Sequence, residues 1–159
     1  MLYTPGQLRK AVSITPETYR HWKKTLGPLR RASGHSPCFS AGDLIAVAVV
    51  RSLTIDLGIR ISALSPVGDP LFELCNGATW PVLERSKLLI DLPGAQLELS
   101  SERAETMSDR PFISIPLKSV LEGLRKHLLA AGDHHKQASL HFPPFPIGDA
   151  SKTVLGGRQ

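Results

Sequence analysis

The chain has 159 residues, of which 42% are hydrophobic, so it can form one ordinary domain or two small ones. The first sixty residues hold nine Lys or Arg against three Asp or Glu and net +6, whereas the remainder holds ten against eleven and nets −1. No apolar run is long enough to span a bilayer, so a membrane-spanning helix is not expected. The concentrated positive charge is typical of proteins that bind nucleic acid, although a solvated basic surface would explain it equally well.

Two helix-start signals stand close together near the N-terminus. The segment TPGQ at 4–7 has the residue types of a capping box and predicts a short helix over 5–11. The segment ITPE at 14–17 repeats the signal, and apolar residues then recur on one face, which predicts a helix over 16–25. The short connection between the two helices has the length of the turn in a helix-turn-helix.

The next segments combine a turn-rich stretch with a strongly apolar one. The segment 27–37 contains Gly, Pro, Ser and a pair of arginines without any periodicity, and it predicts a two-stranded wing. The apolar run that follows predicts a buried helix over 41–57. A further helix is expected from Ser62 or Ser65 to about Leu74.

The second half of the chain has strand periodicity. Leucine and isoleucine alternate with polar residues over 88–92 and 97–99, on either side of a Pro-Gly pair, which predicts a β-hairpin. The segment 112–117 predicts a third strand, placed at a sheet edge by its proline. Leucines at helical spacing predict a helix over 117–131. We expect a mobile loop over 102–109.

These elements predict an α+β fold with three parts. Residues 1–76 form the helical unit, and 78–131 form a small module of three β-strands and one helix that is expected to mediate dimerisation. Residues 132–159 lack periodicity and are expected to be an extended or disordered tail.

The helical unit resembles a known family, the MerR-like winged helix-turn-helix regulators. The resemblance covers about residues 3–64 and rests on five fragments in the family's order and spacing: YTPGQL, SITPETYRHW, GPLRRASG, FSAGDL and LGIRISAL. It implies that the helix over 16–25 enters the major groove of double-stranded DNA. The family's long dimerisation helix is missing, so the resemblance implies nothing about an effector.

The resemblance and the facing of the helix give the candidate contacts. The family's helix arginine matches Arg20, a phosphate-contacting aromatic matches His21, and the basic approach to the wing matches Arg30 and Arg31. Glu17 stands where the family often has a basic residue, and it can accept a hydrogen bond from a cytosine amino group. Ser36 and Pro37 replace the wing's usual aromatic residue and arginine. The full candidate set is Glu17, Thr18, Arg20, His21, Lys23, Lys24, Arg30 and Arg31.

Other chemistry-bearing residues have simpler interpretations. We expect Tyr19 and Trp22 to be core residues rather than stacking platforms, and Cys38 and Cys75 to be reduced packing residues. Four histidines lack the spacing of a zinc site, and the acids of the charged loop lack a partner base, so no metal, cofactor or catalytic site is expected. These residues are His127, His134, His135 and His141, and Glu98, Glu102, Glu105 and Asp109.

The sequence therefore favours a non-catalytic, sequence-specific DNA-binding transcription regulator that acts as a homodimer. With no signal-peptide pattern at its start, it is expected in the cytoplasm. Two alternatives stay open. One is an excisionase-like architectural or recombination factor, and the other is an adaptor or antitoxin-like protein that binds a partner protein through residues 78–159.

Overall fold

The computed structural model describes residues 1–32, 34–101 and 110–133, and within them the fold is α+β. Six α-helices and one three-stranded antiparallel sheet are present in these ranges. The predicted loop over 102–109 and the predicted tail beyond residue 133 lie outside the described residues. No helix in the described part of the chain has the length and apolar character required to cross a membrane.

Helices α1 (Pro5–Ala11) and α2 (Pro16–Thr25) begin at the predicted caps. Thr4 Oγ1 accepts from the amide of Gln7 at 3.2 Å, and the Gln7 amide oxygen accepts from the Thr4 N–H at 2.9 Å, which completes a capping box. Both predicted helices are therefore confirmed. The turn between them places Ser13 in the left-handed region at φ 54° and is closed by the bond from Ile14 N–H to the Arg9 carbonyl.

The predicted two-stranded wing over 27–37 is wrong. Gly27–Arg31 forms a 3₁₀ helix, and no residue among 27–32 and 34–37 pairs as a strand. The nearest β-interaction is a single bridge between Tyr3 and Phe39. The arginines of this segment bond to main-chain carbonyls and to the buried carboxylate of Asp43, and these bonds hold the segment against the helices.

Helix α3 (Ala41–Arg51) starts at the Ser40 cap and is buried along nearly its whole length. A π-helical turn over Ser52–Asp56 continues it, so the predicted helix over 41–57 is confirmed in extent but changes its winding near its end. A 3₁₀ turn over Ile61–Leu64 leads into α4 (Ser65–Gly77). This range confirms the predicted helix and extends three residues beyond Leu74. Ser65 is its first residue, and neither Ser62 nor Ser65 caps it with a side-chain hydrogen bond.

Helix α5 (Trp80–Glu84) was missed by the sequence analysis. It has five residues, and only Leu83 among them is buried, so it presents no periodic apolar stripe. Arg125 fastens it to the last helix, because its guanidinium donates to Glu84 Oε1 at 2.8 Å and lies 5.3 Å from the centre of the Trp80 ring. This bond lowers the pKa of the Glu84 carboxyl.

Strands β1 (Ser86–Asp91), β2 (Gln96–Ser101) and β3 (Ile113–Pro116) form a sheet in the order β2-β1-β3. Both pairings are antiparallel, and Leu88 lies opposite Leu99 on one side and Ile115 on the other. The predicted hairpin and the predicted edge position of the third strand are confirmed.

Helix α6 (Leu117–Asp133) joins the two halves of the chain. It contacts α1, α3, α5 and β1, and its buried leucines belong to the same core as Leu8 and Leu44: they are Leu117, Leu121 and Leu124. The hydrophobic core is therefore continuous across the boundary predicted at residues 76–78. The helix also continues through residue 133, so the predicted tail starting at 132 is wrong in its first two residues.

Candidate nucleic-acid interface

One face of α2 is a continuous stripe of exposed polar and charged side chains. Residues at i, i+3, i+4 and i+7 share a helix face, and Tyr19 and Trp22 on the opposite face are only 8% and 3% exposed. We call the exposed set the α2 stripe; it consists of Glu17, Arg20, His21 and Lys24.

Within the α2 stripe, Arg20 and Glu17 form an ion pair. Arg20 Nη2 lies 3.2 Å from Glu17 Oε1, and the two side chains are 71% and 73% exposed. An exposed pair of this kind contributes little to stability because water competes for both charges. The guanidinium can therefore exchange the carboxylate for an external acceptor at small cost.

Thr18 and Lys23 flank the stripe and are half-buried. Thr18 Oγ1 lies 3.0 Å from Thr15 Oγ1 as part of the helix cap. Lys23 Nζ donates to the carbonyl of Ala32 at 2.7 Å, so its ammonium fastens the segment after α2 to the helix.

Arg30 caps the C-terminus of α2. Its Nε donates to the carbonyl of Lys23 at 3.2 Å and its Nη2 to that of Lys24 at 2.5 Å. The last carbonyls of a helix have no partner inside the helix, and a cation there also interacts favourably with the helix dipole. Arg30 therefore stabilises the end of the helix that carries the stripe.

Arg31 is tied to a buried carboxylate. Its Nε donates to the carbonyl of Pro28 at 3.0 Å, and its Nη2 lies 3.0 Å from Asp43 Oδ1. The Arg31 side chain is 55% exposed, whereas that of Asp43 is 3% exposed. The structure thus brings the predicted pair Arg30 and Arg31 close to α2, but each already donates to the protein.

Asp43 is the centre of a polar network that sequence reasoning missed. Its Oδ2 accepts from the N–H of Ser40 at 2.8 Å, and its Oδ1 accepts from Asn76 Nδ2 at 2.9 Å as well as from Arg31. Asn76 also donates to the Phe72 carbonyl at 2.8 Å. The network joins the start of α3, the end of α4 and the 3₁₀ segment. Of the three bonds to Asp43, the SAGD sequence indicates only the one from the Ser40 N–H, which belongs to the helix cap.

The core side of α2 confirms the simpler interpretation of its aromatic residues. Tyr19 and Trp22 are buried, and the Tyr19 hydroxyl has no hydrogen-bond partner among the described residues. Burial raises the pKa of Tyr19, Cys38 raises it further, and Arg9 opposes the shift.

Both cysteines are free thiols. Burial raises the pKa of Cys75 to about 12, and the nearby Asp43 adds to the shift. At neutral pH Cys75 is therefore an inert thiol.

The remaining candidates are scattered. In the described ranges no three His, Cys, Asp or Glu residues lie close enough to hold a metal ion. His127 Nδ1 lies 2.9 Å from the Gly123 carbonyl on α6, and Glu98 is exposed on β2. The other considered histidines and acids lie outside the described residues: His134, His135, His141, Glu102, Glu105 and Asp109.

Comparisons with protein-family models, with curated protein sequences and with solved structures find no match to this chain.

Proposed function

We propose that this protein is a sequence-specific regulator of transcription that binds double-stranded DNA by inserting α2 into the major groove. The observation that carries the proposal is the α2 stripe, which presents an arginine, a lysine, a histidine and a glutamate on the solvent face of a short helix packed on the core. The major groove is roughly 12 Å wide and admits one α-helix.

The chemistry of the α2 stripe suits both kinds of DNA contact. Arginine binds the two acceptors of guanine, and a carboxylate accepts from the amino group of cytosine, so Arg20 and Glu17 are proposed to read bases. Lys24 and His21, farther along the same face, are proposed to contact phosphates, which fix the register of the helix without reading sequence.

We further propose that the unit is a MerR-like helix-turn-helix in which the 3₁₀ segment stands in place of a wing. The tight turn between α1 and α2 and the fragments shared with the family support this assignment. Arg30 and Arg31 keep their charge near the end of α2 while donating within the protein. They are therefore proposed to add positive potential near the DNA and to make fewer hydrogen bonds to phosphates than the arginines of an extended wing would make.

We also propose a cytoplasmic homodimer that binds and does not catalyse. A single recognition helix reads only a few base pairs, and two-fold pairing doubles the site. Residues 78–131 are proposed to carry the dimer contact, while α6 links them to the helical unit.

Selection of bound sequences from a pool of random duplexes tests the base-reading part of this proposal. The wild-type protein is expected to enrich a motif, and Glu17→Gln is expected to change the preferred base at one position in each half-site. Arg85→Gln, an exposed charge change at the end of α5, is the control and leaves the motif unchanged. Enrichment of no motif by the wild-type protein would overturn sequence-specific binding.

Mapping bound sites across the source genome tests the regulatory part. Sites upstream of genes are expected for a transcription regulator, and these sites should disappear with Arg20→Ala. Sites confined to the ends of mobile elements would instead support a recombination factor.

A further inference from the structure

A cleft of about 340 Å³ lies where the end of α1, the end of α3 and the middle of α6 meet. Its apolar wall includes Val12, Ala48 and Leu124, and its polar wall includes Arg51 and Ser119. Small-molecule sites in proteins are mostly apolar with a few converging polar groups, and they occupy roughly 300–1,000 Å³. The cleft therefore has the composition of such a site and the size of a small ligand.

Arg51 lines this cleft, and its side chain is 35% exposed. Its Nε is buried and has no acceptor among the described residues. Its Nη1 lies 3.6 Å from Asp56 Oδ2, which is an ion pair but too long for a hydrogen bond. The buried Nε is out of reach of a ligand in the cleft. The exposed part of the side chain can be reached, and the long contact to Asp56 leaves it able to donate to an acceptor on a ligand.

The backbone holds Arg51 in this position. The residue is the last of α3, and the π-helical turn over Ser52–Asp56 follows it directly. Thr54 Oγ1 bonds to the Val50 carbonyl at 2.9 Å, and the N–H of Leu57 bonds to the Ser52 carbonyl at 3.0 Å. Isolated π-helical turns occur frequently at functional sites. Here the turn brings Asp56 back toward the guanidinium.

We propose that this cleft binds a small monocarboxylate with a short apolar body. A guanidinium matches the geometry of a carboxylate better than any other cation does, and the apolar wall suits a hydrocarbon group. Asp56 already offsets one positive charge beside the site, so a dianion such as a phosphate monoester is disfavoured. The site goes beyond the proposed DNA binding and does not depend on it.

The test uses the full-length ¹⁵N-labelled protein and the Nε–H resonance of Arg51, which is assigned by its loss in Arg51→Lys. Benzoate is the probe, benzamide is its neutral counterpart, and phenyl phosphate is the dianionic one. We expect benzoate to shift the Arg51 resonance saturably, benzamide to leave it in place, and phenyl phosphate to bind more weakly than benzoate. Tighter binding of phenyl phosphate would overturn the assignment of the ligand class.

A pair of glycine variants tests whether the ligand lies in the cleft. Gly123 lines the cleft on α6, and a Cβ there meets no atom within 4 Å, so Gly123→Leu is expected to fold and to fill the space. Gly77 at the end of α4 is equally open, so Gly77→Leu is the matched control and should bind benzoate normally. Arg51→Gln should weaken benzoate binding by about tenfold or more. The site is refuted if benzoate causes no saturable shift of Arg51, or if binding survives in Gly123→Leu.

Discussion

At the scale of single residues, basic side chains around α2 divide into two groups that composition cannot separate. Arg20 and Lys24 are exposed, and among the described residues the Arg20 guanidinium donates only to the exposed Glu17. Lys23, Arg30 and Arg31 donate to main-chain carbonyls or to the buried Asp43. Four of their acceptors are main-chain carbonyls, which leave no mark in the sequence. The first group is available to a ligand at little cost, and the second positions the helix that carries the first.

Arg20→Ala is expected to weaken binding to the preferred duplex by about 1–3 kcal/mol, because it removes a charge-assisted contact to a base edge. Fluorescence anisotropy with a labelled duplex measures the loss, and circular dichroism should show an unchanged fold. Arg85→Ala is the matched control and should bind as the wild-type protein does. Equal affinities of the two variants would contradict the proposed docking of α2.

Asp43→Ala is expected to lower the free energy of unfolding by about 1–3 kcal/mol, because it leaves donors of Ser40, Arg31 and Asn76 without their acceptor. The loss of stability stays modest because the half-exposed guanidinium of Arg31 is hydrated once its partner is removed. Urea denaturation measures the change. Asp69→Ala, which removes an exposed carboxylate from α4, should change stability by a few tenths of a kcal/mol at most. A variant at Asp43 as stable as the one at Asp69 would show that the network adds nothing.

At the scale of elements, α6 is part of the core on which α1 and α3 pack. The strands of the chain begin after residues 76–78. The hydrophobic core does not end there, because α6 contacts α1 and α3. A protein truncated at residue 76 would lose three buried leucines, each worth about 1.5–3 kcal/mol, out of a total stability of about 5–15 kcal/mol. We therefore expect that truncation to unfold most of the helical unit.

A milder pair of variants on the same helix tests this role. Leu121 is fully buried and Leu129 is 74% exposed, so Leu121→Ala should destabilise the protein by about 2–5 kcal/mol while Leu129→Ala should cost little. Thermal or urea unfolding of both variants measures the difference. If Leu121→Ala also left stability unchanged, α6 would not belong to the core.

The elements with strong local signals could be predicted from the sequence. Thr4, Thr15 and Ser40 mark the helix starts because each cap is satisfied within four residues, and the leucines of α6 give an unbroken stripe. The 3₁₀ segment could not be predicted in this way. It depends on Asp43, which lies 12 residues beyond Arg31, and Asp43 in turn pairs with Asn76 on another helix.

The sequence also predicted part of the candidate site. The family resemblance predicts Glu17, Arg20 and His21 of the α2 stripe, and helical facing predicts Lys24. Helical facing also predicts Thr18 and Lys23, which are half-buried beside the stripe. Neither signal predicts that Lys23 donates to the Ala32 carbonyl, because this bond forms only when the chain turns back after the helix. The cleft at Arg51 is built from three separate elements, and no local pattern indicates it.

At the scale of the whole molecule, the net charge of +6 in the first sixty residues and the slightly negative remainder give the protein two unlike halves. We propose that the basic half faces DNA and that residues 78–131 pair with a second copy. In light scattering after size exclusion, the protein should have twice the 17.3 kDa mass of the chain. A species of the single-chain mass at micromolar concentration would contradict the homodimer.

The salt dependence of binding to an arbitrary duplex tests DNA binding without knowledge of the preferred sequence. Each neutralised phosphate releases condensed counterions, so the logarithm of the affinity should fall linearly with the logarithm of salt concentration, with a slope of about −0.9 per contact. Lys24→Gln should flatten this slope by about one contact, and Arg85→Gln should leave it unchanged. A slope near zero for the wild-type protein would mean that the α2 stripe is only a solvated surface, and the proposed function would be wrong.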